Sequence, residues 1–169
     1  MKAPKTTSSK HLPFLSPVQY DVHAKGEVVM VKSMDSDFQI QARLQGVKEP
    51  GTDGPAVTTG IAVTGSPTIQ VNMASTSSAT TQNFHGCPVD LYVDKEARNI
   101  FTWTGTEDAR VTVNQGAQMI IIENMESNVR IKMRALRYGS VCFFTVDYFL
   151  GDCYNDETLI GKAGSFGAT

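Results

Sequence analysis

The chain has 169 residues, a hydrophobic fraction of 41 %, a charged fraction of 19 % and a formal net charge of −2. That length suits one domain with a sizeable core. So small a negative charge gives no general attraction to nucleic acid or to an anionic membrane, and no stretch reaches the ~18–20 consecutive apolar residues of a membrane span.

Residues 1–20 read as an extended N-terminal arm. Lys2, Lys5 and Lys10, with Pro4, Pro13 and Pro17 and a Thr/Ser cluster, cannot build a core alone. Leu12, Phe14 and Leu15 form an apolar tip of the kind that docks on a neighbouring subunit. No apolar run follows the first charges, so the expected route is synthesis in a host cytoplasm without a secretory signal. Residues 21–154 are expected to form the folded domain and residues 155–169 a Gly-rich tail that Phe166 can anchor.

Within the domain, residues 26–32 read as the first strand. Residues 38–45 alternate Phe38, Ile40, Ala42 and Leu44 against Gln39, Gln41, Arg43 and Gln45, the pattern of a strand with one wet face. That face is mostly amide, which can bond a partner without desolvating a charge, although a simple solvated face is the commoner arrangement. A turn-rich loop at 46–55 leads to strands at 57–64 and 68–73, linked as a hairpin by Gly65, Ser66 and Pro67. Residues 74–82 are polar, uncharged and of low complexity, and read as a crossover loop. Further strands are expected at 89–94, 100–104, 109–114 and 117–123, with a charged turn at 94–99. The last and strongest signal is a hairpin over 129–150, turned at Gly139-Ser140: Val129, Ile131 and Met133 alternate with Arg130, Lys132 and Arg134, and an aromatic, β-branched second half reads as a central strand. About ten short antiparallel strands at this spacing imply an all-β fold, expected to be a jelly-roll-like β-sandwich.

The search for chemistry finds no complete constellation. His85 and Cys87, with Asp90 nearby, make a weak metal motif, because zinc needs four ligands at paired spacings. The same His and Cys lack a third orienting group for nucleophilic catalysis. Asp90 and Asp94 fall on one strand face, whereas glycosidase acids come from separate elements. An enzyme is therefore not expected, nor a metal or other cofactor. Cys87, Cys142 and Cys153 are an odd and unevenly spaced set, so reduced thiols are expected, with Cys142 as core filling. Trp103 shares a strand face with Phe101 and reads as core rather than as a sugar-stacking platform. The Arg130, Lys132 and Arg134 stripe suits a solvated face or a protein contact better than nucleic acid, since no aromatic residues interleave it.

These readings lead to an expectation of a virion structural protein, a bacteriophage capsid or decoration protein. It would work as a symmetric homo-oligomer whose arms reach copies of itself and other virion proteins, with no membrane and no nucleic acid as partner. The residues expected to carry those contacts are Leu12, Phe14, Leu15, Arg130, Lys132, Arg134 and Phe166. The alternative expectation is a receptor- or glycan-binding module on a fibre or spike, using the loops at 46–55 and 74–82.

Overall fold

The computed structural model describes residues 26–33, 36–46 and 56–151. These form eleven strands: β1 (Gly26–Lys32), β2 (Gln39–Gly46), β3 (Ala56–Val63), β4 (Ile69–Met73), β5 (Gln82–Phe84), β6 (Cys87–Val93), β7 (Glu96–Arg98), β8 (Ala109–Asn114), β9 (Met119–Asn124), β10 (Val129–Tyr138) and β11 (Val141–Leu150). The fold is all-β and antiparallel, and no helix occurs among the described residues. All eleven strands join one hydrogen-bonded sheet that runs β5-β6-β4-β3-β11-β10-β9-β8, with β2 and then β1 added on β3 and β7 added on β6. This sheet curls into a half-barrel.

The curl follows from where the apolar residues point. Alternation buries Val31, Ile40, Ile61, Val63, Ile69, Val71 and Leu91 on one wing, built from β1, β2, β3, β4 and β6. It buries Ile120, Ile122, Ile131, Met133, Ala135 and Phe144 on the other, built from β8 to β11. Both sets belong to one apolar cluster. A flat sheet would leave these rows on a single open face, so the wings fold toward each other. Each fully buried Val, Ile or Phe in the cluster contributes about 1.5–3 kcal/mol relative to exposure. Among the described residues the ladder between β3 and β11 has one registered pair, Thr58 with Phe144.

A disulfide spans the two wings. Cys87 on β6 and Cys142 on β11 are bonded, their Cα atoms 5.7 Å apart. This corrects the expectation of reduced thiols and of Cys142 as mere core filling. The two residues lie 55 apart in sequence, and only the curl brings them together. Beside them, the β5–β6 turn reaches the β8–β9 turn, where His85 Nε2 bonds the Gln115 carbonyl oxygen.

The tight turns use the conformations their strands demand. His85 and Gly86 both have positive φ (54° and 87°), as do Asp94 and Lys95 (50° and 71°). Two positive-φ residues in a two-residue loop match the twist of the strands that they join. The β8–β9 and β9–β10 loops are built alike: the Asn114 Oδ1 accepts from the Ala117 N–H at 3.0 Å, and the Asn124 Oδ1 accepts from the Ser127 N–H at 2.8 Å. Each loop then closes on a residue with positive φ, Gln118 or Asn128.

Two expected elements differ. Residues 100–104 are a turn rather than a strand: the Phe101 N–H donates to the Asn99 Oδ1, and the Thr102 and Trp103 N–H groups donate to the Asn99 carbonyl. The charged segment expected as a turn contains β7, which pairs with β6 from Leu91 to Val93. The expected arm at residues 1–20 and tail at 155–169 lie outside the described residues.

Candidate functional site

The outer face of the β8–β11 wing carries the basic stripe. Cross-strand register places Arg110, Glu123, Arg130 and Phe149 in one row. Thr112, Ile121, Lys132 and Asp147 form the next, and Asn114, Met119, Arg134 and Thr145 the third. Arg130, Lys132 and Arg134 thus share a face, as the alternation of β10 predicts. Arg130 Nε lies 3.2 Å from Glu123 Oε2, an exposed pair worth at most about 1 kcal/mol. Lys132 Nζ stands 5.3 Å above the Phe149 ring, a cation–π contact worth about 0.5–1 kcal/mol at a surface. Arg110 and Arg134 make no ion pair or side-chain hydrogen bond among the described residues.

Beside the β10 stripe, on β9 and β11, lies apolar surface that reading the stripe alone missed. Met119, Ile121, Leu136 and Phe143 are half-buried and Phe149 is 37 % exposed. The signal was present in β9, whose Met119-Ile120-Ile121-Ile122 run does not alternate, and in the aromatic run of β11. A strand covered on both faces loses its period of two. The result is a central row of cations on β10 with Met119 and Ile121 to one side and Phe143 and Phe149 to the other, and aromatic residues, Met and Arg are the types enriched at protein contact surfaces.

The outer face of the other wing is different. Its register places Val29, Gln41, Ala62, Gln70 and Tyr92 in one row, and Glu27, Arg43, Gly60, Asn72 and Asp90 in the next. Because Gly60 and Ala62 have little or no side chain, the middle of this face sinks into a trough of about 140 Å³, lined by Glu27, Gln41, Arg43, Gln70 and Asn72. Arg43 Nη2 and Glu27 Oε2 form a 3.0 Å ion pair at its border. Asn72 lies over Gly60, so closely that a Cβ there would strike its Oδ1. Its residue exposure is 8 %, and no buried side-chain nitrogen or oxygen among the described residues is left without a hydrogen-bond partner. Beyond it the Thr81 hydroxyl donates to Asp90 Oδ1, which fastens the 74–82 loop to β6.

The remaining candidates do not converge. Cys87 is committed to its disulfide, and Asp90 lies on the opposite face of β6, toward Thr81. His85, Cys87 and Asp90 therefore do not meet, and no group of three metal-ligating side chains gathers among the described residues. Asp90 and Asp94 do not share a strand face as expected, because β6 ends at Val93 and Asp94 turns to accept from the Thr68 N–H at 2.9 Å. Trp103 is half-buried against the core cluster. Leu12, Phe14, Leu15 and Phe166 fall outside the described residues, as do His11, His23 and Cys153. A comparison with protein-family models finds no match to this chain, and neither does a comparison with curated proteins.

Proposed function

We propose that this protein is a structural component of a virus particle, a bacteriophage capsid or decoration protein, that works by symmetric self-assembly and by contacts with other virion proteins. The observation that carries the reading is the outer face of β8–β11. Met119 and Ile121 on β9 and Phe143 and Phe149 on β11 stand to either side of the cation row Arg130, Lys132 and Arg134 on β10. A fully solvated sheet face is polar, and large apolar and aromatic side chains interleaved with arginine are the residue types enriched at contact surfaces. In this reading the two wings act as the layers of a jelly-roll-like sandwich, and residues 1–20 and 155–169 clamp adjacent subunits. The Cys87–Cys142 bond supports placement on a virion, since disulfides persist on particle surfaces and are rare in the cytosol.

The test is absolute mass by light scattering across a range of concentration and salt. A closed oligomer is expected, and Phe149→Asp should reduce it toward monomer while leaving the unfolding midpoint near that of the parent. A monomer at every concentration, with no effect of Phe149→Asp, sinks the self-assembly reading.

A further inference from the structure

We infer that the outer face of β8–β11 receives the acidic segment 152–160 of a neighbouring copy of this chain. This placement rests on the self-assembly reading and names the partner of that face. Three observations carry it. The first is charge. Arg110, Arg130, Lys132 and Arg134 share the face with two carboxylates, Glu123 and Asp147. Glu123 is taken by Arg130, and Asp147 stands opposite Lys132 in the ladder. Arg110 and Arg134 keep no ion pair among the described residues. Residues 152–160 hold Asp152, Asp156 and Glu157 and no Lys or Arg, so the segment carries the charge that the face lacks.

The second observation is order. Side chains of an extended chain share a face at steps of two. β10 turns Arg130, Lys132, Arg134, Leu136 and Tyr138 outward in that sequence, and Tyr138 is fully open to a partner. The same steps in the segment give Asp152, Tyr154, Asp156, Thr158 and Ile160. Laid along β10 in the same direction, the segment sets Asp152 at the row of Arg110 and Arg130 and Asp156 at Arg134. Tyr154 falls at Lys132, a ring beside a cation, and Ile160 reaches Tyr138. Charge meets charge at one end and apolar surface meets apolar surface at the other.

The third observation decides whose segment it is. The Gly151 N–H donates to the Asn128 carbonyl oxygen at 2.9 Å, which holds the end of β11 in the plane of the sheet beside β10. A strand stacked on a sheet lies about 10 Å above it. The single step from Gly151 to Asp152 spans at most about 3.6 Å. The chain's own Asp152 therefore cannot lie over the Arg130 row, and that of a neighbour can.

The experiment uses the full chain and reads self-association by light scattering across a range of concentration. Arg134→Glu and Asp156→Lys should each weaken association roughly tenfold, an exposed ion pair turned into a repulsion. Unfolding midpoints near that of the parent establish that both variants are folded. A chain with both changes should regain the association of the parent. An equimolar mixture of the two single variants should associate more tightly than either alone, because each then offers the segment that the other's face accepts. No rescue in the double variant, or rescue there and none in the mixture, overturns the inference. An oligomer that Phe149→Asp dissociates and Asp156→Lys leaves intact overturns it too, while the self-assembly reading stands. A parent chain that is monomeric at every concentration overturns both.

Discussion

Two glycines of this chain differ sharply in what a side chain would meet. Gly105 has φ +130°, and a Cβ there would collide with the Ala109 carbonyl oxygen and lie 2.8 Å from the Arg110 Cα. Those are backbone atoms held by the β8 ladder, and they cannot swing aside. Gly139 has φ +64° and nothing within 4 Å of a built Cβ. Gly139→Ala should therefore cost about 1–2 kcal/mol, the left-handed backbone penalty alone, and Gly105→Ala clearly more, read as the difference in urea unfolding free energy. Equal costs for the two would contradict the packing around Gly105. The cysteines make a second contrast. Opening a disulfide that closes a loop of this length removes about 2–4 kcal/mol. Dithiothreitol should lower the urea midpoint of the parent protein and leave that of the Cys87→Ala/Cys142→Ala double variant where it stands.

Among the strands, legibility tracked how one-sided each environment is. β2 and β10 were readable because each has one buried and one wet face: Ile40, Ala42 and Leu44 are buried on β2, and Val129, Ile131 and Met133 on β10. β5 and β7 were not, since three residues span too little to show a period, and all of Glu96–Arg98 are exposed. β7 exists because Asp94 and Lys95 turn the chain back onto β6, and neither residue belongs to the Asn-Gly or Asp-Gly pairs that signal such a turn. The apolar run Ile100 to Trp103 misleads for the opposite reason. Its side chains do pack on the core, but Asn99 takes up its N–H groups and prevents a ladder. The amide outer face of the β2–β4 wing was half visible, in Gln39, Gln41 and Gln45. Its partners Gln70 and Asn72 come from another strand, and a strand pairing is not written in local sequence. The two Asn-capped loops carry their own prediction. Asn124 is buried and Asn114 exposed, so Asn124→Ala should cost about 1–2 kcal/mol and Asn114→Ala about half as much, measured by thermal unfolding.

For the molecule as a whole, the prediction concerns the division between domain and arm. Among the described residues the buried members of the core cluster begin at Met30, with Val28 packed against them. A chain lacking residues 1–20 should keep its unfolding midpoint within about 0.5 kcal/mol of the parent, the scatter of changes away from a core, and should show a lower assembled mass by light scattering. A truncated chain that fails to fold would place the arm inside the core and overturn that division.

The strand order also sets a sequence of events at the ribosome. β1 to β7 emerge first, yet their inner face, with Ile61, Val71 and Leu91, shares its cluster with residues of β9, β10 and β11. β11, the last described strand to be made, is the one that pairs with β3 and carries Cys142 to Cys87. Until it arrives, the nascent first wing holds an uncovered apolar face. Slow translation through residues 99–140 would prolong that exposure, so this protein's yield of soluble chain should depend on how quickly its second half is synthesised.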